Sequence, residues 1–315
     1  MEKIVGHVAN NFRLNGVVPV QLTNSTCLRR ATAEEIEDFD SQNAAAMAAH
    51  SVPIRSFRHI YEELQDGASV TYRPILLPEA EWRYWVVDFT GDGRTFRQIE
   101  KLLVLTNPPV LLSFCRITGL SSKLDAVRPL TSHLVERAEH LWWRGPREPI
   151  LHEEELREVC SYVPALDRSE AEYQYVKDAV DKFYDLQRHP PDSDMYALGL
   201  FSIIESLITH KPRLNENLDS INHQLTNKIL LIEEHFLQKP LTAAGAFGEV
   251  SHSTIWKKLY AFRSQLAHTS VSTLSNDLAS LKSRDAIVSF VEAKTKELIM
   301  FALQRPKLLL HLKAC

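Results

Sequence analysis

The feature that most constrains this chain is a change in the spacing of its apolar residues near His152. Before that point they form short clusters such as Val70 to Leu77 and Tyr84 to Phe89, which predict β-strands. After it they recur at the three- and four-residue spacing of amphipathic helices. The sequence therefore predicts an α+β N-terminal domain over residues 1–150, followed by an all-α helical bundle over residues 151–315.

Glycine and proline follow the same division. Residues 1–150 hold seven of the ten glycines and nine of the fifteen prolines, as a domain with many turns requires. Within it, the string Thr32-Ala-Glu-Glu35 is a capping box and predicts a helix that runs to about Phe39. Residues 95–104 predict a second helix, and the stretch from Gly145 to Pro149 predicts the domain boundary.

The C-terminal half is divided by prolines and by one polar stretch into six predicted helices. Two of these helices carry an apolar stripe that should face a core. The stripes consist of Leu200, Ile203, Ile204, Leu207 and Ile208 in one helix and of Ile255, Leu259, Phe262 and Leu266 in the other. The six predicted helices span residues 152–162, 168–188, 193–210, 216–238, 252–268 and 284–304.

Composition narrows the functional classes. A chain that is 44% hydrophobic and 24% charged buries a core rather than remaining disordered. Ten glycines, with no GxGxxG or GxxxxGK[ST] string, argue against a glycine-rich nucleotide-binding fold. The net charge of -4 argues against non-specific binding to duplex DNA. Residues 282–313 hold seven Lys or Arg against three acids, which either a basic patch or a solvated helix face explains.

Metal sites and membrane segments have no signature in the sequence. Cys27, Cys115, Cys160 and Cys315 form no CxxC pair, and no HExxH string occurs. We therefore expect no cofactor and no metal. The N-terminal residues contain no apolar run, and no stretch reaches the length of a membrane span. The expectation is a cytoplasmic protein without membrane association.

The fifth predicted helix carries the residues that point to chemistry. It ends in Arg263-Ser-Gln-Leu-Ala-His268, an R-x4-H string in which polar Ser264 follows the arginine. This segment resembles the HEPN superfamily of ribonucleases, whose bundles carry such a motif in the active site. The closest resemblance is to the Apea-like HEPN group of bacterial defence proteins.

An earlier helix supports the resemblance. The segment from Leu198 to Leu207 places Glu205 among apolar residues, as in the first core helix of that superfamily, and the segment from Ile221 to Lys228 is similar to the helix that follows. The resemblance covers about residues 165–310 and implies a homodimer, because HEPN proteins pair two motifs in one composite cleft. No part of the N-terminal half resembles a family in this way.

The R-x4-H string alone is weak evidence, because the chain contains three of them. Arg128 to His133 and Arg147 to His152 are the other two. A proline lies inside each of these, and neither ends an apolar-periodic helix. The string that ends at His268 is therefore the candidate.

The spacing itself poses a geometric problem. Five residues turn an α-helix by about 500°, so Arg263 and His268 point about 140° apart. Either the helix ends near Ala267 and lets His268 swing, or the site is shared between two chains. Ser264 and His268, four residues apart, lie on one face of the helix.

The residue types suit cleavage of RNA without a metal ion. A histidine exchanges protons near neutral pH, and an arginine binds the phosphate and its developing charge. Glu205 would orient Arg263 or His268. The resemblance implies an endoribonuclease that acts in bacterial defence or toxin-like growth arrest, with tRNA as one candidate substrate. It also implies an activating phage component or an antitoxin as a partner, and the N-terminal domain is interpreted as a sensor or regulatory domain.

Two alternatives remain open. The bundle can instead be a non-catalytic module for dimerisation or partner binding, in which Arg263 and Glu205 form a structural ion pair. The pair Trp142-Trp143 beside Arg144 invites a base-stacking interpretation, although a structural aromatic pair has the same sequence.

Overall fold

The chain forms two compact units in a computed structural model, Met1–Val163 and Pro164–Cys315, and each is described by itself. The residues that the structure describes are 2–50, 57–66, 69–118, 126–128, 149–211, 220–237, 242–248, 250–268, 274 and 276–315.

An antiparallel sheet forms the centre of the first unit. The six described strands of this sheet are hydrogen-bonded in the order β3-β4-β7-β1-β8-β9, so β1 lies between β7 and β8. Ile4 of β1 is opposite Phe89 of β7, and both side chains are buried. Strands β5 and β6 pair only with each other among the described residues. The strands are β1 (Glu2–Val8), β2 (Arg13–Asn15), β3 (Val20–Thr23), β4 (Thr26–Arg30), β5 (His59–Asp66), β6 (Ser69–Leu76), β7 (Trp85–Gly91), β8 (Leu112–Thr118), β9 (Ala126–Arg128) and β10 (Ile150–His152).

Among the described residues of this unit, three α-helices accompany the strands: α1 (Ala33–His50), α2 (Gly93–Leu103) and α3 (Glu153–Cys160). The predicted capping box is confirmed, since the Glu35 amide donates to Thr32 Oγ1 at 3.3 Å and the Thr32 amide donates to Glu35 Oε2 at 2.8 Å. Helix α1 runs beyond the predicted end, because the alanine-rich sequence that follows contains no helix breaker.

The first unit ends at Val163, whereas the sequence predicts a boundary near residue 150. The segment between these points belongs to the first unit because β10 pairs with β2 in parallel, with Leu151 opposite Leu14. Helix α3 also packs against α2 and β3. Most of the stretch that predicted the boundary, residues 145–148, lies outside the described residues.

Among the described residues of the second unit, all regular secondary structure is helical. Its helices are α4 (Val163–Glu172), α5 (Gln174–Leu186), α6 (Asp194–Ile208), α7 (Ile221–Phe236), α8 (Ala243–Phe247), α9 (His252–His268), α10 (Arg284–Gln304) and α11 (Pro306–Ala314), with a short 3-10 helix at Asn276–Leu281. The predicted helix 168–188 is two helices instead, because the backbone of Tyr173 leaves the helical region, with φ of -135° and ψ of 58°.

Helix α6 is the central helix of this unit and contacts α5, α7, α9, α10 and α11. Its predicted apolar stripe is confirmed, since all five residues are buried, and the four stripe residues of α9 are buried as well. The packing of α9 on α6 brings the two helices that carry the candidate site into contact. Among the described residues, no helix combines the length and apolar composition that a membrane crossing requires.

Candidate functional site

Glu205 and Arg263 meet between helices α6 and α9. The Arg263 Nη2 donates to Glu205 Oε2 at 3.5 Å, and Arg263 Nε lies 3.2 Å from Glu205 Oε1. The second contact brings the charges together without hydrogen-bond alignment. The side chains of Arg263 and Glu205 are 30% and 18% exposed, respectively. The structure thus places Glu205 where it can orient Arg263, in a pair that is open to solvent on the side of the arginine.

The electrostatics of this pair are governed by partial burial. Burial raises the pKa of the Glu205 carboxyl, and the neighbouring Arg263 guanidinium only partly opposes that rise. Arginine has five N–H donors, and those that face the carboxylate belong to Nε and Nη2. The remaining donors of Arg263 give it the capacity to hold an anion while Glu205 fixes its orientation.

His268 is the last residue of α9 and is exposed, and Ser264 is partly buried one turn earlier. Helix α9 continues without a break to His268, so Arg263 and His268 keep the angle of about 140° that a regular helix imposes. One chain therefore brings Arg263 to Glu205 but does not bring His268 to Arg263. Ser264 and His268 share a face, as the four-residue spacing requires.

The C-terminal helix α11 braces the turn that carries Glu205. Lys313 Nζ donates to the carbonyl oxygen of Ser206 at 2.6 Å. In return, the Lys313 carbonyl accepts from Lys228 Nζ at 3.3 Å and lies 2.9 Å from His210 Nδ1. Burial lowers the pKa of Lys313, and the charge of a neighbouring lysine lowers it further. Cations thus cap the C-terminal ends of two helices, where the helix dipole favours positive charge.

A buried charge cluster, which the sequence did not predict, joins α7, α9 and α10. Lys294 is fully buried, and its Nζ lies 2.7 Å from Glu233 Oε1 and donates to Glu297 Oε2 at 2.6 Å. His252 Nδ1 lies 3.3 Å from Glu233 Oε2, and His252 Nε2 lies 3.2 Å from the carbonyl of Thr226. Burial favours the neutral form of Glu233, but the hydrogen bonds and charges of His252 and Lys294 outweigh it and lower its pKa.

A sequence signal for this buried charge cluster existed. Lys294 stands four residues after Phe290 and four before Leu298, so it interrupts an apolar stripe of α10. A lysine within an apolar stripe becomes buried together with the stripe when that face of the helix packs against its neighbours. Lys296 is buried too and pairs with Glu292 at 3.4 Å. Lys294 and Lys296 therefore belong neither to a basic surface patch nor to a solvated helix face, the two explanations given above for the basic excess of residues 282–313.

Several residues of the sequence-based hypotheses cannot be placed, because they lie outside the described residues. They are His133, Trp142, Trp143, Arg144 and Arg147. In the part of the chain that the structure describes, no group of three or more His, Cys, Asp or Glu side chains is arranged to hold a metal ion.

No protein-family model, no curated protein and no solved structure matches this chain.

Proposed function

We propose that the chain is a metal-independent endoribonuclease whose active site is assembled from two copies of the chain. The observation that carries the proposal is the ion pair between Arg263 and Glu205, in which the arginine is partly exposed to solvent. Arg263 is oriented by Glu205 yet is 30% exposed, and exposed His268 lies on the same helix. The resemblance of these residues to the HEPN motif, in a unit whose described secondary structure is all helical, supports the same reaction and a HEPN-like bundle.

The proposed reaction is a transesterification. His268 removes the proton of the ribose 2′-hydroxyl, whose oxygen attacks the adjacent phosphorus, and the bond from phosphorus to the 5′ oxygen breaks. The leaving 5′ oxygen takes up a proton from water, and His268 afterwards releases to water the proton that it removed. The products are a 2′,3′-cyclic phosphate and a 5′-hydroxyl end. Arg263 binds the phosphate oxygens on which charge develops.

Two chains are needed because α9 holds Arg263 and His268 on different faces. In the proposed dimer, Arg263 of one chain and His268 of the other approach one phosphate across a two-fold axis. At the C-terminal end of α9, exposed Ala267 provides a small side chain next to His268. A second chain can therefore approach this end of the helix closely.

The biological setting proposed from the resemblance is bacterial defence or toxin-like growth arrest, with tRNA as a candidate substrate. The first unit is then a sensor or regulatory domain that responds to a phage component or is restrained by an antitoxin. Deleting residues 1–163 tests this role, since a bundle with unchanged activity and toxicity would refute it.

The test is an incubation of RNA with wild-type protein, Arg263→Lys and His268→Ala in EDTA, followed by analysis of the RNA ends. His268→Ala should lower the cleavage rate by about 10²- to 10⁴-fold, the usual loss for a general acid or base. Arg263→Lys should be nearly as impaired, because lysine lacks the planar fork that grips two oxygens. His311→Ala is the matched control, since His311 is an exposed histidine in the last turn of another helix. Cleavage that stops in EDTA, or that survives both substitutions, refutes the proposal.

The ion pair itself favours a second candidate function. Glu205 already provides Arg263 with a partner, so the pair is also what a non-catalytic dimerisation or partner-binding module would contain. Under this alternative, Arg263→Lys and His268→Ala leave every activity unchanged and alter only thermal stability.

A further inference from the structure

Helix α9 has an unusual charge distribution. Its 17 residues include Lys257, Lys258 and Arg263 but no Asp or Glu. Its two adjacent lysines have different surroundings. Lys258 Nζ donates to Ser280 Oγ at 2.9 Å and is partly buried, whereas Lys257 is exposed. One positive charge is thus held against the protein, and its neighbour is presented to solvent.

Helix geometry places Lys257 on the face of α9 that carries His268. Eleven residues turn an α-helix by about 1100°, so Lys257 and His268 lie within about 20° of each other. The same count puts Lys257 within about 20° of Ser264. Along the helix axis, Lys257 and His268 are about 16 Å apart. Lys257 therefore extends the face of His268 well beyond the reach of one phosphate group.

We propose that Lys257 binds a backbone phosphate of the RNA strand beyond the phosphate that is cleaved. This inference rests on the proposed ribonuclease function and adds to it the path of the substrate along α9. The ammonium group of lysine is a flexible point charge, which suits a phosphate and reads no base. Lys257 would then contribute to affinity for any single-stranded sequence and not to the chemical step.

The contact has a measurable signature in salt. Each phosphate that a lysine neutralises releases condensed cations, so the slope of log affinity against log salt changes by about 0.7 per contact on a single strand. The probe is an oligoribonucleotide with 2′-O-methyl groups throughout, which lacks the attacking hydroxyl and is not cleaved. Its binding to the wild-type full chain is measured by fluorescence anisotropy at several salt concentrations.

The variant is Lys257→Gln, and Lys258→Gln is its matched control, because both remove one charge from adjacent positions of the same helix. We expect Lys257→Gln to bind about fivefold more weakly and with a slope smaller by about 0.7. Lys258→Gln should retain the wild-type slope. Lys257→Arg should restore it, and the melting curves of both Lys257 variants should match that of the wild type.

The possible results separate the two proposals. If wild type cleaves unmodified RNA and both glutamine variants keep the wild-type slope, the role of Lys257 is refuted and the ribonuclease function stands. If both variants reduce the slope equally, the effect is one of net charge and the role of Lys257 is again refuted. If wild type neither cleaves RNA nor binds the probe, both proposals fail.

Discussion

Two of the groups of opposite charges that join helices in the second unit differ in how far water reaches them. In the buried charge cluster, Lys294 and Glu233 are 0% and 5% exposed. In the candidate site, Arg263 and Glu205 are 30% and 18% exposed. In an ion pair that is buried from solvent, neither residue can exchange its partner for a ligand without leaving an unpaired charge in the apolar interior. The open pair can, since its arginine already faces solvent.

The difference in exposure separates structural from chemical roles. The buried charge cluster fixes the N-terminal end of α9 through His252. The candidate site lies toward the other end of the same helix. We infer that the first group holds α9 in place and the second uses that placement. Removing one charge at a time from each group should therefore have different consequences for stability and for RNA cleavage.

Removing the charge of Lys294 should give the largest loss of stability. Lys294→Met leaves the buried carboxylate of Glu233 without its lysine and removes the cation beside the partly exposed Glu297. We expect a loss of about 3–5 kcal/mol in the free energy of unfolding, measured by urea denaturation. Lys307→Met, at an exposed position of α11, is the control and should change stability by less than about 0.5 kcal/mol. Equal effects of the two substitutions would contradict the structural role.

Removing the charge of Lys313 should have a smaller effect. Lys313→Met loses both the hydrogen bond to the Ser206 carbonyl and the contact of the ammonium group with the Tyr175 ring, which lies 5.7 Å away. The expected loss is about 1 kcal/mol, the usual worth of a capping cation with a hydrogen bond. The loss is measured by thermal unfolding of Lys313→Met, with Lys307→Met as the control. Indistinguishable melting temperatures would show that Lys313 does not stabilise the helical turn that carries Glu205.

Removing the charge of Arg263 should affect stability least and RNA cleavage most. Arg263→Gln breaks a solvent-accessible pair, so we expect a loss of no more than about 1 kcal/mol. Arg284→Gln is a matched control, because Arg284 is 28% exposed and pairs with Asp194 at 2.7 Å. Both variants should melt alike, and only Arg263→Gln should lose cleavage. A large destabilisation by Arg263→Gln alone would favour the non-catalytic module.

The two glutamates should also respond to pH in opposite directions. The pKa of Glu233 is lowered in the folded state, so its contribution to stability is present above pH 4.5 and is lost as the pH falls through its folded value. The pKa of Glu205 is raised, so its contribution is lost as the pH rises through its folded value. The free energy of unfolding is measured by denaturation at several pH values. In Glu233→Gln it should fall less steeply at acid pH than in the wild type. In Glu205→Gln it should decrease less than in the wild type as the pH rises. The same trend for both variants would contradict these assignments.

Much of the fold could be predicted because it follows local rules. The bounds of α9 and α10 agree with the predicted helices 252–268 and 284–304, since apolar periodicity and a serine N-cap at Ser283 define them locally. The pairing of strands could not be predicted, because the order β3-β4-β7-β1-β8-β9 depends on contacts between residues distant in sequence. The end of the first unit at Val163 depends on such a contact, between β10 and β2.

Only those parts of the candidate site that follow from local sequence patterns could be predicted. The motif identified Arg263, and the acidic position in an apolar helix identified Glu205, which the structure brings together. The buried charge cluster could not be assembled, because Glu233, His252 and Lys294 lie on three helices whose packing only the folded chain determines. The roles of His268 and Ser264 stay predictions.

The measurement that tests the shared site most directly is complementation between two inactive variants. Arg263→Ala and His268→Ala are purified separately, mixed in equal amounts under conditions that allow exchange of subunits, and assayed for RNA cleavage in EDTA. If each site takes Arg263 from one chain and His268 from the other, half of the dimers are mixed and each has one intact site. The mixture should then recover about a quarter of the wild-type activity. A mixture that exchanges subunits yet stays as inactive as its components would contradict the composite site.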